Sequence, residues 1–313
     1  MTPSDPEHRP VLGAEVLEVL RPAAHELIVD GTFGLGGHSL ALLRHDRESR
    51  LLGIERDPWV LDRGRQRLLA QLPEAASRVE LVHASFADLE RLLDDRGLSR
   101  YQAGLLDLGL NSLQIDAAGR GFSREDAALD LRFDTTDPMT ADAATLLAEW
   151  PETPLADALY ELGGERLSRP IARALVRRRE QSRPVTTASE LAALVAGIYQ
   201  RHGIRRQRIH PVTRTMQALR IAVNDEFGHI RRGLAAFLRR LDIGGRLAVI
   251  AFHSGEARLV KQAFTAAVKG TGESLAGRRF EWVTKGVLKP GPAEVGANPR
   301  ARSAQMRALR RTA

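Results

Sequence analysis

The stretch V-D-G-T-F-G-L-G-G-H, Val29 to His38, ends an apolar run with an aspartate and follows it with four glycines. Glycine lets backbone come close to a ligand, and the free amides at the start of a following helix favour negative charge. A phosphate-gripping P-loop is excluded, because no Gly-Lys-Ser/Thr follows. A dinucleotide fingerprint starting at Gly34 would need glycine where Ser39 stands, and Asp30 would repel a pyrophosphate. A carboxylate at that point suits a ligand that is neutral or cationic.

S-adenosylmethionine meets that description: it carries a sulfonium and an ammonium and has no phosphate. Asp30 could meet the ammonium, directly or through water, while Gly34, Gly36 and Gly37 let backbone close around the amino-acid end. Glu55, 25 residues after Asp30, ends a second apolar run, where a carboxylate can accept hydrogen bonds from both ribose hydroxyls. Phe86 follows a third run and could cover the adenine, and Asp107 ends a fourth. Each has a plainer alternative: a packing turn for the glycines, a helix cap for Glu55, core for Phe86, a turn for Asp107. Together, at successive strand ends, they mark the edge of an open sheet where ligands bind.

The elements that would position these residues read as follows. Short apolar runs at 27–30, 51–55, 79–83 and 103–107 are strands, separated by helix-like segments such as Pro58 to Leu69 and Phe86 to Leu93. This is a βαβ array with a parallel sheet. From about Leu113 to His210 only helical patterns occur, among them Glu165 to Glu180 and Thr187 to Gln200, so a helical insert is expected. A helix from Val212 to Phe227, with apolar residues at spacings of four and three, leads to a strand Arg246 to Phe252. The Gly/Pro-rich tail from Gly270 to Asn298 reads as loops. The domain division expected is 1–112 with 211–313 for the sheet and 113–210 for the insert.

Composition narrows the chemistry. The chain has 313 residues, 43% of them hydrophobic, and no cysteine, which removes disulfides, thiolate metal sites and thiol nucleophiles together. No metal site is suggested by the nine histidines, which form no spacing such as H-E-x-x-H. No apolar run approaches the ~20 residues that cross a bilayer, and the N-terminus lacks a signal peptide's basic start and apolar core, so a cytoplasmic location and no membrane partner are expected. The formal net charge of +7 points to a polyanionic partner, although only four of the 46 basic residues are lysine, a skew that GC-rich coding also produces.

At this point a family resemblance is visible. H-R-P-V-L, D-G-T-F-G-L-G-G-H, G-I-E-R-D-P, L-D-L-G-L-N-S-L-Q-I-D, R-G-F-S and L-D-L-R-F-D follow one another in the first half. G-G-E-R-L-S-R-P-I-A-R-A-L-V, H-P-V-T-R-T-M-Q-A-L-R-I-A-V-N-D-E, A-F-H-S-G-E and N-P-R-A-R-S-A-Q-M-R complete the series. Over about residues 8 to 310 the chain resembles the bacterial 16S rRNA cytosine-N4 methyltransferases, which methylate a cytidine of the decoding region. The resemblance implies an α/β fold, a class I (Rossmann-like) methyltransferase sheet with an inserted all-helical domain for RNA recognition. It implies S-adenosylmethionine as cofactor, 16S rRNA within the small ribosomal subunit as partner, and cofactor contacts at Gly36, Gly37, His38, Glu55, Phe86, Asp107 and Gln114. The chain departs from the family pattern at Glu55, Asn111, Phe133, Gly255 and Ala257.

For such a reaction the candidates for holding the cytosine amine are Asn111 and Ser112 after the fourth strand and His253 and Ser254 after the fifth. His253 could equally be a hydrogen-bonded structural histidine. Candidates for gripping RNA phosphates are Arg177, Arg178 and Arg179, then Arg205, Arg206 and Arg208, then Arg300 and Arg302, with Arg307, Arg310 and Arg311 beside them; a solvated helix face is the plainer reading of such runs. Two rivals stay open: a non-catalytic RNA-binding or ribosome-assembly protein, which would leave the strand-end acids unused, and a nicotinamide-dependent oxidoreductase, which would leave Asp30 unexplained.

Overall fold

A computed structural model describes residues 10–204, 209–271 and 275–313. By contact density the chain divides into two compact units, one made of the segments ending at Gly109 and beginning at Phe227, the other Leu110–Glu226.

The first unit is built on a seven-stranded sheet of order β3-β2-β1-β4-β5-β7-β6. Its strands are β1 (Leu27–Asp30), β2 (Arg50–Glu55), β3 (Val79–His83), β4 (Tyr101–Asp107), β5 (Leu241–Ala251), β6 (Phe280–Trp282) and β7 (Gln305–Arg311). The first five are parallel, whereas β7 runs antiparallel to β5 and β6 antiparallel to β7. That order, with one reversed strand inserted beside the fifth, is the class I methyltransferase sheet. Continuous burial along L-I-V-D in β1 explains why it reads as an unbroken apolar run: both faces are covered. The covering helices are α1 (Gly13–Leu20), α2 (Gly37–His45), α3 (Pro58–Gln71) and α4 (Leu89–Asp94).

The second unit contains α5 (Ser112–Asp116), α6 (Ala143–Glu149), α7 (Glu152–Gly163), α8 (Ser168–Glu180), α9 (Ala188–Arg201) and α10 (Val212–Asn224). It has its own core, with Leu155, Leu159, Ile171, Leu191, Val195 and Leu219 among its buried members. Glu165 is wholly buried there and accepts hydrogen bonds from the Tyr199 hydroxyl at 2.6 Å and the Leu167 amide at 2.9 Å. After α10 come α11 (Glu226–Arg240), α12 (Ser254–Lys269) and α13 (Pro292–Ala297). No helix of the described residues is long and apolar enough to cross a membrane.

Four sequence expectations change. The helix from Val212 to Phe227 is two helices, because Asp225 takes a left-handed conformation (φ 46°) that ends α10. With α10 packed on α7, the helical unit extends beyond residue 210 to Glu226, and it begins at Leu110 rather than 113. The fifth strand begins at Leu241, directly after α11, instead of at Arg246. The tail read as loops contains β6 and α13.

Candidate active site

Asp30, the last residue of β1, is 1% exposed. Its Oδ2 accepts the Ser39 hydroxyl at 2.7 Å and its Oδ1 the Thr32 amide at 3.1 Å. Burial pushes its pKa up, and the Ser39 hydrogen bond and nearby His38 only partly offset this. Both oxygens are thus turned into the protein, where they close the glycine loop onto α2. Gly36 caps that helix at φ 71°, and a Cβ there would lie 2.8 Å from the Phe33 ring, so glycine is required twice over. At Gly37 a Cβ would meet Pro10 only at an ordinary 3.5 Å.

Glu55 ends β2 and braces the same loop: Oε2 accepts the Gly34 amide at 2.9 Å and Oε1 the Asp57 amide at 2.9 Å. Burial outweighs these bonds and pushes its pKa up to about 7. At the end of β4, the Asp107 amide donates to the Thr32 hydroxyl at 2.6 Å, which ties the β4 end to the β1 loop. Its Oδ2 lies 3.6 Å from His38 Nε2. His38 is 7% exposed, yet neither ring nitrogen has a hydrogen-bond partner, and Asp107 Oδ1 has none either. A buried polar atom left without a partner costs about 1–3 kcal/mol. Three such atoms at the carboxyl ends of β1 and β4, where the strand order reverses, are what a polar ligand would complete.

The match to known proteins covers almost the whole chain. The model of the MraW methylase family matches residues 5–312. The chain belongs to the MraW methylase family. It is 45% identical to "Ribosomal RNA small subunit methyltransferase H" of Methylobacterium sp. (strain 4-46), over 97% of this chain and 91% of that one. Proteins of the same name from Methylorubrum populi and Xanthobacter autotrophicus are 45% and 43% identical, each over 97% of this chain and 87% of theirs. This MraW-family chain is a methyltransferase, and its cofactor is S-adenosylmethionine. The residues fit that group: the unpartnered His38 and Asp107 atoms, the Glu55 carboxyl and the glycine cradle lie along one edge of the sheet.

Phe86 opens a single 3₁₀ turn after β3 and rests on bare backbone: a Cβ at Gly233 of α11 would come within 2.3 Å of its ring, and one at Gly31 within 2.9 Å of its Cβ. Ser85, just before it, caps that turn through the Ala87 amide at 3.2 Å and also meets His229 Nδ1 of α11 at 2.6 Å. Sequence reasoning missed His229, Gly233, Thr32 and the role of Ser39. Only Ser39 left a trace, as the residue that spoiled the dinucleotide fingerprint.

The remaining candidates divide between the units. In the sheet unit His253 caps α12: its Nδ1 accepts the Glu256 amide at 3.4 Å, and its Nε2 lies 3.2 Å from Glu256 Oε1. The Glu256 carboxylate in turn accepts the amides of Phe252 and His253 at 2.8 and 3.2 Å. A Cβ at Gly255 would sit 2.5 Å from the Phe227 ring, whose centroid is 6.0 Å from that of His253. Phe227 thus occupies the space that a side chain at 255 would need. Ser254 is exposed. In the helical unit Asn111 and Gln114 form a reciprocal cap, Asn111 Oδ1 accepting the Gln114 amide at 3.0 Å and Gln114 Oε1 the Asn111 amide at 3.2 Å. Ser112 begins that helix. Phe133 stacks on Phe122 at 6.1 Å.

Several arginines already have partners within the protein. Arg179 donates to the carbonyls of Leu147 and Trp150 at 3.1 and 2.6 Å, closing the end of α6, and Arg178 donates to the Arg183 carbonyl at 3.2 Å and lies 3.7 Å from Glu190. Arg311 is buried against the Leu241 carbonyl at 2.8 Å, Arg310 pairs with Glu281 at 3.8 Å, and Arg307 lies over Trp282 at 5.9 Å. Arg177, Arg300 and Arg302 are exposed. Arg205, Arg206 and Arg208 lie outside the described residues.

Proposed function

We propose that this chain methylates N4 of a cytidine in the decoding region of 16S rRNA, presented in the small ribosomal subunit. The names of its relatives support small-subunit rRNA as the acceptor, and the family resemblance of D-L-G-L-N-S and A-F-H-S supports cytosine N4. The observation that carries the cofactor half is the buried His38 ring 3.6 Å from the Asp107 carboxylate, with both ring nitrogens and Asp107 Oδ1 lacking a hydrogen-bond partner among the described residues.

Bound S-adenosylmethionine supplies an electrophilic methyl on a sulfonium. Glu55 would accept the ribose hydroxyls, Phe86 would cover the adenine, and the α2 amides at Gly36 and Gly37, with His38, would hold the amino-acid end. Asp30 keeps that loop closed from behind through Ser39. Cytosine N4 is a poor nucleophile, because its lone pair is delocalised into the ring. Acceptors for the amine hydrogens localise that pair, and in the sheet unit the exposed Ser254 would offer such an oxygen, with Asn111 and Ser112 the candidates that the family resemblance names in the helical unit. His253 fixes the start of α12 and so aims Ser254. Positioning of this kind is worth up to about 7–11 kcal/mol in favourable intramolecular cases. The proton leaves readily once the nitrogen is alkylated, so no strong base is required before transfer.

The test is to incubate the protein with methyl-labelled S-adenosylmethionine and small subunits from a strain lacking this gene, then to digest the RNA and identify the labelled nucleoside. Label in N4-methylcytidine is the expected result. Label in another nucleoside, or none despite tight cofactor binding, would overturn the acceptor assignment.

A further inference from the structure

The cationic side chains differ sharply in whether the fold already uses them. On α8 the exposed Arg169 and Arg173 lie 3.5 and 3.4 Å from Asp157 and Glu152 of α7, so that face alternates in sign. Helix α12 does not. Its buried face is Glu256, Leu259, Val260, Phe264 and Ala267. On the opposite side Ser254, Arg258, Lys261, Thr265 and Lys269 recur at spacings of four, three, four and four, which places them on one stripe. Glu256 is the only acid in the helix and is wholly buried at its cap. Among the described residues no acidic side chain pairs with Arg258, Lys261 or Lys269, and Arg258 and Lys261 are both exposed.

We infer that this stripe of α12 is a phosphate-binding track for the substrate RNA, with Arg258 and Lys261 as its contacts. The inference rests on the proposed RNA acceptor and adds the surface that grips it. The stripe begins at Ser254, which stands at the carboxyl end of β5 where the sheet presents its ligands. At about 1.5 Å of rise per residue, Arg258 lies roughly 6 Å and Lys261 roughly 10 Å along the helix from Ser254. A strand whose target base is held at Ser254 therefore meets two unpaired cations within two helical turns. Their charge is not neutralised in the free protein, so phosphate contact releases counterions without first breaking an ion pair.

The experiment is filter binding of a 16S rRNA fragment carrying the decoding region to full-length protein over a range of salt concentrations. It compares wild type, Arg258→Gln with Lys261→Gln, and Arg169→Gln with Arg173→Gln, with S-adenosylhomocysteine titration of each. Neutralising the α12 pair should lower the slope of log affinity against log salt by about 1.4–1.8, at 0.7–0.9 per phosphate contact, and leave cofactor affinity unchanged. The α8 double variant should change the slope much less. An unchanged slope in the α12 variant would overturn the inference, as would a fall in affinity without a fall in slope. If wild-type binding is itself insensitive to salt, the RNA reading fails along with the track.

Discussion

Glu55 sets a conflict between folding and binding inside one carboxyl group. Its pKa rises from 4.5 to about 7 in the fold, so the unfolded chain ionises first as pH climbs. Its contribution to stability is complete below 4.5, declines between 4.5 and 7, and is fully lost above. In the proposed cofactor site, however, the ionised form is the one that would accept two ribose hydroxyls. Cofactor affinity should therefore rise as pH passes through 7, while Glu55→Gln removes that rise, weakens binding, and unfolds at a higher temperature than wild type above pH 7. Isothermal titration with S-adenosylhomocysteine and thermal melts at pH 5 and 8.5 check both halves. Ser39 acts in the opposite sense: Ser39→Ala strips buried Asp30 of its shortest hydrogen bond and should destabilise the protein by about 1–3 kcal/mol in urea unfolding. Of this site, the strand-end acids and the glycines were legible, because a carboxylate closing an apolar run is unusual. The inward turn of Asp30 was not, since nothing local says which side of the strand end its oxygens face.

At the scale of elements, α11 backs Phe86, the residue proposed to cover the adenine. His229 and Gly233, one turn apart, seat Ser85 and Phe86 from 144 or more positions away in sequence. No spacing rule could reveal that pairing. Alanine is the better helix former by about 1 kcal/mol, so Gly233→Ala would ordinarily stabilise an exposed helix. Here its Cβ displaces the Phe86 ring, and the expected result is weaker S-adenosylhomocysteine binding with little loss of kcat at saturating cofactor, read from initial rates. The break at Asp225 was invisible for a related reason: the apolar stripe from Val212 runs on through Phe227, and only the backbone reversal separates α10 from α11. β6 and α13 were hidden because three paired residues and six helical ones leave too short a pattern among glycines and prolines.

For the whole molecule, the alternation of strand and helix was enough to place a parallel sheet, and the loss of strands after residue 112 was enough to announce a helical insert. The edges of that insert depend on which core α10 joins, a tertiary fact that its amphipathic pattern does not encode. Tryptophans report the two units separately: Trp59 and Trp282 lie in the sheet unit, Trp150 in the helical one. In single-tryptophan variants, saturating S-adenosylhomocysteine should raise the urea midpoint seen by Trp59 more than that seen by Trp150, since most proposed cofactor contacts belong to the sheet unit. Equal shifts would show one cooperative transition instead.

The pairing of β4 with β5 has a consequence during synthesis. β4 is complete at Asp107, but its neighbour does not begin until Leu241, on the far side of the helical unit. At about 5–20 residues per second the ribosome needs on the order of 10 seconds to make the missing strand. Throughout that time the nascent chain carries Leu105 and Leu106, destined for complete burial, on an open edge that any other extended chain could join. The helical unit, which has a hydrophobic core of its own, can fold while the sheet waits. Chaperone dependence in the cell should accordingly map to this interval, and a circular permutant that brings β5 next to β4 in sequence should refold faster than the natural order.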